Sequence, residues 1–187
     1  MYTPEILYNQ FKEKTRVVIC GSSESKDLSH LFLKISDYHD KGFNYFLDEN
    51  TSLLSEESDF VIFYGANPIL TPNIVLITGF ESQESTQNSS YDDFISNITP
   101  GGILIYNLED LQLKELVENH TNPIRKIPYQ ASQYETTNEG IVLNTEDGAM
   151  PTSISNTKVA NQLTGLQYLC QAVGMGTEDF LEALTDS

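Results

Sequence analysis

Residues 16–36 read RVVICGSSESKDLSHLFLKIS, and no other stretch of the chain limits its possible folds so strongly. The apolar, β-branched run Val17-Val18-Ile19 leads through Cys20 into Gly21 and a short polar loop. Leu28, Leu31, Phe32, Ile35 and Tyr38 then follow at helical spacing. A strand that is apolar at successive positions is covered on both faces, and a helix directly after it is the usual crossover of a parallel sheet. The backbone N–H groups at the start of such a helix are a natural place for an anion, phosphate above all.

The same alternation continues downstream. FNYFL, DFVIFYG, NIVLITGF and GILIYN read as strands. Residues 4–13, SYDDFISNI and LEDLQLKELVENH read as helices, the second stopped by Pro100-Gly101-Gly102. Strands alternating with helices predict a mainly parallel sheet with right-handed crossovers. The character changes after NPIRKIPY. SQYETTNEG, GIVLNTEDG and AMPTSIS are short, partly alternating and separated by turn residues, which predicts a small antiparallel appendage over about 128–156. VANQLTGLQYLCQAVG then predicts one helix ended by Gly174 and Gly176, and TEDFLEALTDS another with Thr177 as its N-cap. The expected fold is α/β: a single domain over 1–187, its mainly parallel sheet flanked by helices and carrying the antiparallel appendage.

Charge narrows the partners. With 27 acidic and 10 basic residues the net charge is -17, which argues against nucleic acid and anionic membrane. No apolar run approaches the ~20 residues of a membrane span. The N-terminus lacks a signal-peptide pattern. Cys20 and Cys170 stand in apolar settings and read as reduced core thiols, so the expected location is cytoplasmic. His30, His39 and His120 show no metal-ligand spacing, and Asp92-Asp93 and Glu56-Glu57 read as solvated faces.

The order of these pieces resembles the central, ATP-binding domain of the Mur ligases, nearest the muramate–alanine and murein-peptide ligases. KTRVVICGSS, PNIVLITG, GGILIYNLED, IRKIPY and QYLCQAVGMGTEDFLEAL carry the resemblance over nearly the whole length. It implies a P-loop-like fold, ATP and Mg²⁺ as the family's cofactors, and ligation of amino acids or peptides to UDP-N-acetylmuramate as the family's activity. The family's N-terminal UDP-sugar domain and its C-terminal domain have no counterpart in this sequence.

The site motifs depart from the family. Its phosphate loop reads G-[ST]-x-G-K-[ST]. Here Gly21 and Ser22 match, while Glu24 replaces the second glycine, Ser25 the lysine and Lys26 the following hydroxyl residue. The candidate cofactor-binding residues are therefore Gly21, Ser22, Ser25 and Lys26, as a degenerate phosphate loop. A carboxylate ~4 Å from a phosphate charge costs about 4 kcal/mol at an effective dielectric of ~20, comparable to the whole binding energy of a millimolar ligand. Lys26 starts ~100° around the helix from the family's lysine, and reads as a solvated lysine. The family's strand-end Mg²⁺ carboxylate falls at Phe63 or Tyr64, followed by Gly65, Ala66 and Asn67; its Asp-His pair falls at Gln83 and Glu84; its His-Asn-x-x-Asn motif falls at Lys158, Val159 and Gln162, with Asn156 and Asn161 nearby.

Four altered motifs on a retained scaffold predict no catalytic residues, no metal ligands and no expected cofactor. The expected function is a non-catalytic Mur-ligase-like module, a binding or regulatory protein linked to peptidoglycan precursor synthesis, with a precursor ligase as its partner. The polar stretch ESQESTQNSSYDD is a candidate partner-binding loop. Two alternatives stand beside this: a divergent ATP-dependent ligase domain acting with separate chains, or a nucleotide-binding domain without chemistry.

Overall fold

The computed structural model describes residues 2–54, 57–80, 85–145 and 148–185. Its centre is a seven-stranded sheet in the order β3-β2-β4-β1-β5-β6-β7. The strands are β1 (Thr15–Cys20), β2 (Asn44–Asp48), β3 (Thr51–Leu53), β4 (Phe60–Tyr64), β5 (Ile74–Ile77), β6 (Ile103–Asn107) and β7 (Arg125–Tyr129). All neighbours pair in parallel except β3, which folds back on β2 as an antiparallel edge.

Alternation along β1 divides the core. Val17 and Ile19 face α2 (Ser25–Tyr38), α5 (Thr157–Asn161), α6 (Leu163–Ala172) and α7 (Thr177–Thr185). Val18 and Cys20 face the opposite layer, made by α1 (Pro4–Phe11), α3 (Ser85–Ser96) and α4 (Leu111–Asn119). Both layers are sealed by apolar side chains, which is why the central strands carry almost no polar residues. A separate antiparallel sheet, β8 (Tyr134–Thr137), β9 (Gly140–Thr145) and β10 (Gly148–Pro151), places Ile141 and Leu143 in the first of these cores.

The sequence expectations need correction at particular places. IRKIPY is the seventh strand of the main sheet, because Ile103–Asn107 pairs with Arg125–Tyr129 throughout. The antiparallel sheet therefore begins at Tyr134 and not near 128. Pro128 is tolerated because β7 is an edge strand. The segment from Val159 to Gly174 is two helices, broken at Gln162, which ends α5 and begins α6. Thr177 is the first residue of α7 and not its cap: Phe180 N–H donates to Gly176 O, and Gly176 N–H donates to the Asp179 carboxylate at 2.8 Å. On α2, Leu31 is only partly buried and Tyr38 is 40% exposed. Residues 85–93 of the expected partner-binding loop lie within helix α3; its first four residues, Gln83 and Glu84 among them, are outside the described residues, as is Glu56. No described helix is long and apolar enough to cross a membrane. Both cysteines are buried and free.

At the N-terminal edge of the sheet, Arg16 is buried at 5% exposure. Its Nη1 donates to the carbonyls of Phe11, Lys12 and Lys14, at 3.3, 2.6 and 3.0 Å. Its Nε and Nη2 donate to the carbonyls of Leu70 and Thr71 at 2.9–3.1 Å. Thr71 stands at a positive φ of 39°, and the same carbonyl also accepts from Thr99 Oγ1. One guanidinium thus ties α1 and the turn before β5 to the start of β1.

Candidate functional site

The strand order fixes where a site can form. From β1 the chain moves outward to β2, β3 and β4, then returns to place β5 on the other side of β1. The loop after β1 runs to α2 on one face, and the chain after β5 runs to α3 on the other, so a crevice opens at the carboxyl ends of these two strands, where ligands bind in open α/β sheets.

The two loops meet backbone to backbone there. Gly21 has a φ of +122°, and a Cβ on it would lie 2.7 Å from Gly79 O and from Thr78 Oγ1. Only glycine fits that conformation at that distance. Thr78 N–H donates to Cys20 O at 3.0 Å, and Thr78 Oγ1 accepts the Ser22 N–H at 3.1 Å. Gly79 in turn abuts Asp110, whose carboxylate accepts from Phe80 N–H at 2.7 Å and caps α4 through Gln112 and Leu113 N–H.

Glu24 is the decisive residue of the loop. It precedes α2, it is 9% exposed, and its carboxylate makes no cap bond to its own helix. Instead it accepts from Ser22 Oγ at 2.7 Å, Ser23 Oγ at 3.4 Å and Gln162 Nε2 at 3.1 Å. A negative charge at a helix N-terminus is favourable. The Glu24 carboxylate thus stands beside the start of α2, bonded to Ser22, Ser23 and Gln162 and not to the helix N–H groups.

The amide facing Glu24 is itself oriented. Tyr129 Oη donates to Gln162 Oε1 at 2.5 Å, which turns Nε2 toward the carboxylate. Tyr129 ends β7 and is fully packed against α6, where Gly165 leaves room for its ring: a Cβ there would lie 2.6 Å from the ring carbon Cζ. Burial, with a smaller contribution from the nearby Glu24 charge, pushes the Tyr129 phenol far up, so it remains a donor at any physiological pH. This packing predicts an inverted glycine effect. In an ordinary helix Gly→Ala gains up to about 1 kcal/mol. Gly165→Ala should instead lose about 1–3 kcal/mol by overpacking, measurable as a lower urea midpoint.

The other site residues divide. Ser25 is fully buried, and its Oγ has no hydrogen-bond partner among the described residues. The Lys26 side chain is exposed and also paired: its Nζ lies 2.7 Å from Asp48 Oδ2 at the end of β2. That hydrogen bond, with a second from Asn50 N–H, holds the Asp48 carboxyl down to about 2. Gln162 reaches the loop, and Lys158 and Asn161 line a cleft of about 490 Å³ with Ser22, Ser23, Glu24 and Phe80. Phe63 is buried in β4, Tyr64 ends that strand, and Asn67 beyond it caps a short turn through Ile69 N–H. No group of three or more His, Cys, Asp or Glu side chains among the described residues could hold a metal ion.

A polyphosphate laid on this loop would meet the Glu24 carboxylate, with a serine in place of the neutralising lysine; the residues present do not fit it. Thr78, Tyr129 and the linking role of Gln162 escape sequence reading. The one available signal was Thr78-Gly79 at a strand end, opposite Cys20-Gly21 at another.

No protein-family model matches the chain, and no curated protein sequence matches it. Solved structures do. MurF from Acinetobacter baumannii superposes with a TM-score of 0.75 at 12% identity, over 98% of this chain and 48% of that one. The UDP-N-acetylmuramate:L-alanyl-gamma-D-glutamyl-meso-diaminopimelate ligase from Neisseria meningitides gives 0.76 at 10% identity, over 98% and 69%. MurF from Thermotoga maritima, in complex with ADP, gives 0.73 at 10% identity, over 98% and 51%. The chain spans about half the length of the MurF structures it matches. It has the fold of the Mur ligase central domain.

Proposed function

We propose that this chain is a non-catalytic Mur-ligase-like module: a single domain that binds or regulates a protein partner in cytoplasmic peptidoglycan precursor synthesis and requires neither ATP nor Mg²⁺. The observation that carries this reading is the Glu24 carboxylate, held by Ser22 and Gln162 at the start of α2. A loop whose anion position is filled from within keeps its shape without a ligand. Gly21, Ser22, Ser25 and Lys26 are then the remnant of a phosphate site, each with a structural role: Gly21 for close approach, Ser22 for the Glu24 contact, Ser25 for packing and Lys26 for the pair with Asp48. Precursor ligases are the partners to test first, since the scaffold is the one those enzymes use. Affinity capture from the native cell should return one of them.

A second reading, a nucleotide-binding domain without chemistry, draws on Lys158 and Asn161, which line the same cleft as Ser22 and Ser23. Calorimetry separates the two. Titration with Mg-ATP at moderate salt is expected to show no binding tighter than about 1 mM, or about 4 kcal/mol. A micromolar dissociation constant would overturn the non-catalytic reading and favour nucleotide binding or a ligase domain working with separate chains.

A further inference from the structure

Helices α3 and α4 pack side by side over the second core layer, and a cleft of about 620 Å³ opens between them. Asp92 and Ser96 line it from α3, one turn apart and therefore on one face. Glu115 lines it from α4, and His120 from the residue that ends α4. The His120 N–H donates to Val117 O at 3.3 Å and its carbonyl accepts from Lys126 Nζ at 2.6 Å, so its backbone is held on both sides. We propose that this cleft binds Zn²⁺, or a divalent cation of the same borderline class, through His120 Nε2 and the Asp92 carboxylate, with Ser96 Oγ as a third donor.

The tautomer of His120 carries the argument. Asn122 Nδ2 donates to Ile95 O at 2.8 Å, which fixes the amide and turns its Oδ1 to His120 Nδ1 at 3.1 Å. An amide oxygen only accepts, so Nδ1 carries the hydrogen and the neutral ring presents a lone pair at Nε2. That nitrogen faces Asp92 Oδ1 at 3.4 Å, Asp92 O at 3.3 Å and Ser96 Oγ at 3.3 Å. A carboxylate and a carbonyl oxygen only accept as well, so a positive charge belongs between them and the nitrogen: a proton or a metal ion. The distances separate the two. An N–H···O bond closes to about 2.7–3.2 Å. Two donors on a tetrahedral Zn²⁺, with bonds of about 2.0–2.2 Å, stand about 3.3–3.6 Å apart. All three oxygens lie at that separation from Nε2. An Nδ1–H given to an oxygen is also the outer contact that orients metal-bound histidines.

The imidazole selects the class of ion. Mg²⁺ and Ca²⁺ take oxygen donors, whereas Zn²⁺ takes nitrogen and carboxylate oxygen together. Among the described residues no third His, Cys, Asp or Glu side chain joins the pair, so Ser96 Oγ and water complete the four positions. Asp92 and His120 are 28 residues apart, and no spacing in the sequence announces them. Bound there, the ion fastens the last turns of α3 to the end of α4.

The experiment is a titration of the full chain with zinc chloride at neutral pH, followed by calorimetry and by ¹H–¹⁵N NMR of the imidazoles, with magnesium chloride as the control. Zn²⁺ should shift His120 Nε2 and leave His30 and His39 in place, and Mg²⁺ should move none of them. His120→Ala should abolish the binding. Asp92→Asn keeps the size of an exposed side chain, and should weaken Zn²⁺ at least about tenfold with an unchanged urea midpoint. The proposal is overturned, and a proton alone fills the gap, if Zn²⁺ binds no tighter than about 1 mM. It is overturned equally if the His120 resonances do not move, if Mg²⁺ shifts them as Zn²⁺ does, or if Asp92→Asn binds like the parent.

Discussion

Arg16→Ala should lower the free energy of unfolding by about 4 kcal/mol, on the scale seen when a buried charge network loses its centre. The guanidinium donates to the carbonyls of Phe11, Lys12, Lys14, Leu70 and Thr71. Truncation leaves most of these acceptors without their donor, and each buried acceptor stranded in this way costs about 1–3 kcal/mol. The Tyr8 ring, 5.6 Å from the guanidinium carbon, loses its cation as well. Arg16→Lys should fall between parent and alanine. A lysine keeps the charge, but one ammonium cannot reach the α1 carbonyls and the Leu70–Thr71 carbonyls together. Urea unfolding followed by circular dichroism measures both. If Arg16→Ala unfolds within about 1 kcal/mol of the parent, the clamp contributes little and α1 is held by its apolar face alone, through Leu7 and Phe11.

The loop at the opposite edge of the sheet gives the second large effect. Glu24→Gly with Ser25→Lys and Lys26→Thr restores the phosphate-loop pattern on the existing strand and helix. Removing Glu24 deletes a repulsion of about 4 kcal/mol per phosphate charge at ~4 Å and frees Ser22 and Gln162 from their contacts with the carboxylate. The lysine introduced in place of Ser25 adds a charge-assisted contact to phosphate. Losing Lys26 breaks only its solvent-exposed pair with Asp48, which water screens. The triple variant should bind ADP or ATP weakly and almost independently of Mg²⁺, while the parent does not, by nucleotide titration. Catalysis should stay absent. A variant that is folded and gains no affinity would show that this loop no longer has phosphate-loop geometry.

Much of this architecture could be read from the residues. The strands of the parallel core announce themselves because, covered on both faces, they must be apolar throughout, as Val17 to Cys20 and Ile74 to Ile77 are. β7 was less visible because an edge strand needs cover on one side only, so Arg125, Lys126 and Pro128 dilute the pattern. The break at Gln162 carries no proline or glycine; the residue sits there to meet Tyr129 and Glu24, a tertiary reason with no local trace. Arg16 was hidden for the opposite cause. A basic residue at a strand start, following Lys12 and Lys14, reads as surface, and nothing nearby in the sequence says that five carbonyls converge on it. Glu24 was legible as a charge out of place in a phosphate loop, whereas the hydroxyls and the amide that receive it depend on how distant segments pack.

The carboxylate in the loop also changes how the domain answers to its surroundings. A fold completed by a diffusible ligand gains stability as RT ln(1 + [L]/Kd), so its melting point follows the ligand pool. Glu24 is joined to the loop it fills by the backbone itself, and its effective concentration there never varies. On the function proposed above, starvation, dilution or a fall in nucleotide level would leave the loop as ordered as before, and the crevice surface that it shares with Phe80, Lys158 and Asn161 would keep one form.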